Sequence, residues 1–177
     1  MILWLLACAG ADEKTTDSGS AVPAGDWACS ACDGECVEAY NPATSASHVD
    51  GDVSYADEPP QSGDHNGCWA PWGVHTTEVA AENWVHNLEH GGVVFLYDCP
   101  SGCADEVAQL SAYVESLPAG RALLTPYAAS EYPFTVVAWE HRLELGCFDL
   151  SAMQAFYTEH VGHGPEDVTS DPSSACM

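Results

Sequence analysis

Eight histidines occur in the sequence, at 48, 65, 75, 86, 90, 141, 160 and 163, and five of them fall between residues 48 and 90. Imidazole is the commonest protein metal ligand. In VHNLEHGGVV, residues 85–94, His86 and His90 are four apart, a spacing that puts two rings on one helical face. Glu89 would lie about 100° around the helix from His90. It therefore reads as an acceptor that orients an imidazole, or as a base beside a bound water, more readily than as an automatic third ligand. HNLEH also matches the His-x-x-Glu-His string of one class of zinc peptidases, and Glu166 in HGPED could serve as the downstream carboxylate. The context argues against that chemistry, because Gly91-Gly92 would end the helix just after His90 and the chain is short for such an enzyme. The plain alternative is that these histidines only bond backbone groups left open by a glycine turn. His141, His160 and His163 read as framework residues.

The elements that must position these side chains follow from pattern and punctuation. Residues 49–55 read as a short extended segment. Pro59-Pro60 and Ser62-Gly63 then force a turn before His65. CWAPWGVH, residues 68–75, is an aromatic loop broken by proline. Glu78 to Leu88 carries one or two helical turns that the two glycines stop. VVFLY, residues 93–97, reads as a buried strand. Val107, Leu110, Val114 and Leu117 have helical spacing, so a helix is predicted over Asp105–Leu117, ended by Pro118 and Gly120. Strands are predicted over Ala122–Tyr127 and Phe134–Leu145, with SEYP as the turn between them. Asp149 is a good N-cap for a helix reaching about Val161. This order predicts a small α+β domain, mostly antiparallel, with helices on one face.

The N-terminus reads MILWLLACAG. Its apolar run is too short to cross a membrane, and Leu5-Leu6-Ala7-Cys8 has the form of a bacterial lipobox, in which the cysteine is lipidated and becomes the mature N-terminus. No basic segment precedes it, which points to a misassigned start codon. The expected organisation is a lipoprotein signal over 1–8, an acidic tether over 9–26, a cysteine-rich lead-in over 27–47, a globular domain over 48–168 and a tail over 169–177. Nine cysteines are present. Setting Cys8 aside leaves eight, an even number that suits disulfides in an exported chain. Cys29, Cys32 and Cys36 in CSACDGEC leave zinc or redox chemistry open, and Cys176 could pin the tail.

Twenty-seven acidic residues face three basic ones, for a net charge of −24. Such a surface repels nucleic acid and anionic membranes and attracts cations. It also fits a merely acidic, soluble exterior.

Taken together, PPQSGDH (59–65), WAPWGV (69–74), VHNLEHGGVVFLY (85–97), VVAWEHRLEL (136–145) and HGPE (163–166) resemble the domain of unknown function 3105 family, over about His48 to Glu166. The resemblance implies an exported or membrane-anchored bacterial protein and supplies no reaction. Matched position by position, it touches His48, His65, His86, Glu89, His90 and Gly164-Pro165-Glu166. His75 departs from it, where members have an aromatic residue. A mostly imidazole site with some carboxylate suits a transition metal, copper or zinc, better than magnesium or calcium. Copper is preferred as Cu(II), since only three methionines are present. The expectation is therefore a disulfide-stapled lipoprotein of the cell envelope that binds metal through His65, His86 and His90, with His48, Glu89 and Glu166 as ligands or supports. An interaction module, with an aromatic patch around Trp69 and Trp72, is the competing class.

Overall fold

The computed structural model describes residues 29–32 and 36–166. Its strands are β1 (Cys36–Tyr40), β2 (His48–Val49), β3 (His65–Asn66), β4 (Gly73–Val74), β5 (Val93–Tyr97), β6 (Ala122–Pro126), β7 (Phe134–Ala138) and β8 (His141–Leu145). Its helices are α1 (Ala81–Glu89), α2 (Ala104–Ser116) and α3 (Leu150–His160). Six strands form one sheet in the order β1-β8-β7-β5-β6-β4. The β1–β8, β8–β7 and β7–β5 pairs are antiparallel, while β5, β6 and β4 run parallel. The chain is thus a small α+β domain with a mostly antiparallel sheet, as its sequence order predicts. The parallel β5–β6 pair is joined through α2, which suits a connection too long for a hairpin.

VVFLY lacks polar alternation because both sheet faces are covered. Val93 and Phe95 pack with Leu110 and Val114 of α2 and with Met153 and Phe156 of α3. Val94 and Leu96 pack on the opposite side with Trp84, Val85 and Leu88 of α1. The expectation of helices on one face therefore holds for α2 and α3, whereas α1 lies on the other face.

Residues Phe134–Leu145, read from sequence as one strand, form two. The chain reverses at Trp139-Glu140, so that Ala138 pairs with His141. Glu140 adopts φ 66°, an uncommon backbone for a residue with a side chain. Tertiary bonds hold it there. Its amide donates to Gln61 O at 2.8 Å, its carbonyl accepts from Asn41 N at 3.0 Å, and its carboxylate accepts from Ala43 N at 2.7 Å. No glycine or asparagine marks this turn, so its sequence signal is absent. The extended segment expected over 49–55 is also shorter than read, since β2 ends at Val49.

The cysteines pair as Cys29–Cys36, Cys32–Cys147 and Cys99–Cys103, and Cys68 is disulfide-bonded as well. Cys32–Cys147 spans 115 positions, a crosslink worth about 4–5 kcal/mol in chain-entropy terms. It and β1 join the cysteine-rich lead-in to the sheet. The three thiols of CSACDGEC are therefore used in disulfides. Expectations for Cys8, Cys176, the signal, the tether and the tail fall outside the described residues. Among the described residues, no helix is long and apolar enough to cross a membrane.

Two local devices generate tests. Asp149 caps α3, accepting from Ala152 N at 3.1 Å, and also accepts from Ala31 N at 3.3 Å. Burial opposes its ionisation, but bonds from Ser151, Ala152 and Ala31 outweigh burial and hold its carboxyl below the usual range. Asp149→Ala is expected to destabilise the fold by about 1–2 kcal/mol at pH 7. A group with a depressed folded pKa stabilises above its unfolded value, so the gap should close as pH falls below about 4. Denaturant titrations of both proteins at pH 7 and pH 3 check this. Gly164 lies against the end of α1, where an added Cβ would sit 2.2 Å from Glu89 O and 2.4 Å from Gly91 N. Gly164→Ala is expected to force residues 163–166 off the helix end at a cost of roughly 1–3 kcal/mol, visible as a lowered thermal midpoint.

Candidate metal centre

Short elements bring four groups together. β2 and β3 pair in parallel with His48 beside His65. α1 docks on β3 through His86, whose Nδ1 lies 2.8 Å from Asn66 O. The buried Asn87 fixes the adjoining loop, accepting from Ala70 N at 2.9 Å and donating to Ala70 O at 3.0 Å. The helix then ends as its sequence predicts. His90 is the C-cap and Gly91 follows at φ 74°, the left-handed conformation glycine adopts without strain. Gly92 has no room for a side chain, since a Cβ would lie 2.3 Å from the Trp72 ring.

The convergence point is Oε2 of Glu89, a carboxylate whose side chain is only 4% exposed. It lies 3.0 Å from His65 Nε2, 3.3 Å from His48 Nε2 and 3.8 Å from His86 Nε2. Donor atoms of these four residues all lie within 4.8 Å of one another, so the group could hold a metal ion. Two ligands of a tetrahedral ion with bonds of 2.0–2.1 Å are about 3.3–3.4 Å apart, and the three distances bracket that edge. His65 and His86 are buried, whereas the His48 side chain is 52% exposed and gives the group its side towards solvent.

The other ring nitrogens fix the chemistry. His65 Nδ1 lies 2.8 Å from Gly63 O, and His86 Nδ1 has Asn66 O. A carbonyl only accepts, so both Nδ1 atoms carry hydrogen and donate. In the neutral ring this leaves the Nε2 lone pair pointing inward, the arrangement found in metal-ligating histidines. Burial pushes the His86 pKa down to about 4, with the nearby His65, His90 and His48 in the same sense and the Asn66 carbonyl against it. Its ring is therefore neutral near pH 7.

His90 stands beside this group. Its Nε2 is 2.8 Å from His86 Nε2, so with His86 donating at Nδ1 it is His90 that donates here. Burial lowers its pKa against the pull of Glu89 and Glu166. Glu89, His90 and Glu166 form a second convergent set, with Glu166 exposed. The Glu166 amide donates to Glu89 O at 3.1 Å, which ties the HGPE segment to the helix end. Trp69 packs edge-on against His86 and His90, with centroids 5.2 and 5.1 Å away. Trp69 and Trp72 are half-buried, so they do not form an open aromatic patch.

All six residues singled out from sequence thus fall in one region, with His48, His65, His86 and Glu89 at its centre and His90 and Glu166 alongside. His75 stands apart, its Nε2 2.7 Å from Pro71 O. Sequence reasoning missed one grouping. His141 and His160, read as framework residues, converge with Glu38 from the cysteine-rich lead-in, and no spacing within the sequence couples those three positions.

No curated protein and no solved structure matches the chain. Residues 47–173 match the family model described as "Protein of unknown function (DUF3105)", which takes in the whole His48–Glu166 constellation, and the chain belongs to that family.

Proposed function

We propose that the domain binds a transition metal ion, copper or zinc, through Nε2 of His48, His65 and His86 and the carboxylate of Glu89. One observation carries the reading. His65 spends its Nδ1 hydrogen on Gly63 O, yet its Nε2 lies 3.0 Å from Glu89 Oε2. A neutral ring there sets a lone pair against a carboxylate oxygen, and either a proton on Nε2 or a metal ion would join the two. A metal ion in the gap coordinates both, and His48 and His86 face the same gap. Imidazole with carboxylate favours copper or zinc over magnesium or calcium. The absence of a methionine-rich motif favours Cu(II) over Cu(I).

In this reading His90 and Glu166 support the site. His90 holds the His86 ring and releases its Nε2 when metal enters. Binding is favoured over hydrolysis because Glu89 stands among the ligands and is not set apart to activate water. The paired cysteines suit an oxidising compartment, and Cys8 would anchor the chain to a membrane of the cell envelope by its lipid.

The test is calorimetric titration of metal-free protein with Cu(II) and Zn(II). His65→Ala and His86→Ala are expected to weaken this site by more than about 100-fold, and His90→Ala by no more than the roughly 10–100-fold typical of a supporting residue. Unchanged affinity and stoichiometry in His65→Ala and His86→Ala would overturn the proposal and leave the histidines as braces for the turns.

A further inference from the structure

On the other face of the sheet, Glu38, His141 and His160 meet. Glu38 stands on β1 opposite Leu143, and His141 begins β8. Strand alternation puts both on the side of Leu143 and Leu145, whose side chains pack with α3. His160 is the last residue of α3 and lies against Phe156, with ring centroids 4.3 Å apart. Glu38 Oε1 is 3.5 Å from His160 Nε2 and 3.7 Å from His141 Nδ1, and one donor atom from each residue lies within 4.8 Å of the others.

Both imidazole nitrogens are buried and have no hydrogen-bond partner among the described residues. The distances to Glu38 are too long for good hydrogen bonds. Orphaned polar atoms in a protein interior are costly, and here two of them point at one carboxylate. An ionised Glu38 would accept from N–H tautomers only over these long distances, and a proton on Glu38 would serve one ring nitrogen at most. A metal cation serves both nitrogens and the carboxylate together.

We propose that Glu38, His141 and His160 form a second, separate site for a divalent first-row transition metal ion. Two imidazoles and one carboxylate are the donor set of sites that keep coordination positions open. His141, whose side chain is 28% exposed, marks the open side. Loading draws the three groups together by a few tenths of an ångström, to the 3.3 Å or so of a tetrahedral edge. Neighbouring charge helps, since Glu159 lies near Glu38 and His141, and Glu140 lies near His141. His163 stands close to both rings. Burial lowers the pKa of His160 to about 4 and lowers that of His141, disfavouring the charged form of both rings. Glu38 precedes the family-matched residues 47–173, so this site uses a side chain from outside that region. It does not depend on the site at Glu89.

Equilibrium dialysis of the oxidised full-length chain against micromolar Zn(II), in salt that screens the acidic surface, tests the idea. The expected result is two bound ions in the parent, one in Glu38→Gln/His160→Gln and one in His86→Ala, with none when all three changes are combined. If the Glu38→Gln/His160→Gln protein keeps the parent's melting temperature and its zinc stoichiometry, the second site is refuted. A parent that binds a single ion, lost in His86→Ala, refutes it equally and leaves the first site standing. Ring nitrogen spectra of the unaltered protein read the same question without mutation. Zn(II) should move the His141 Nδ1 and His160 Nε2 resonances, and fixed resonances at saturating metal would overturn the assignment.

Discussion

A single buried oxygen, Oε2 of Glu89, organises the family-matched part of this molecule. The carboxylate sits in the last turn of α1, where the helix dipole already presents partial negative charge, and it is removed from water. An ionised carboxylate in such a place needs positive charge or donated hydrogen close by. The groups within reach are imidazoles, two of which have committed their Nδ1 hydrogens to backbone carbonyls. The surrounding architecture keeps this arrangement in place. The two-residue pairing of β2 with β3 sets His48 beside His65, and docking of α1 on β3 brings His86. Gly91, Gly92 and Gly164 let the chain close over the helix end without a side chain in the way. Removing any of these leaves a buried acid without its surroundings.

How much of this was legible depended on whether the determinant was local. VVFLY, the 107–117 periodicity and the Asp149 cap are short-range signals, and the corresponding elements lie within a residue or two of expectation. The stop at Gly91 is equally local. The reversal at Glu140 was hidden because its left-handed backbone is held by Gln61, Asn41 and Ala43, none of them near it in sequence. The same reason divides the two sites. His86, Glu89 and His90 share a helix, and His48 and His65 stand out in motifs that accompany it, so that site could be assembled from spacing and ordered motifs. Glu38, His141 and His160 come from an edge strand, a hairpin start and a helix end, and only the folded sheet brings them together.

From sequence Glu89 stood open as a ligand or a supporting residue. Helical geometry sets it about 100° from His90, which suggested a supporting part. In the structure His90, the C-cap, stacks on His86 beside the group at Glu89. Glu89 remains within the helix and turns inward to the imidazoles. The four-residue spacing still gives a shared face at the C-cap, since the His86 and His90 rings stack with their Nε2 atoms 2.8 Å apart.

The acidic composition and the two buried clusters do different physical work. A net charge of −24 raises the local concentration of any cation, and scattered surface carboxylates favour hard ions such as calcium and magnesium as readily as any other. On the proposed reading discrimination has to come from the imidazole nitrogens, and those of His65 and His86 are buried with Nδ1 held by backbone carbonyls. Burial both protects them from protonation, as at His86 and His160, and denies them water as a substitute partner. An ion that prefers imidazole therefore gains most where water has been excluded, while ions that prefer oxygen lose hydration and gain a single carboxylate. On the proposed reading the acidic surface collects cations without regard to kind, and the buried imidazoles choose among them.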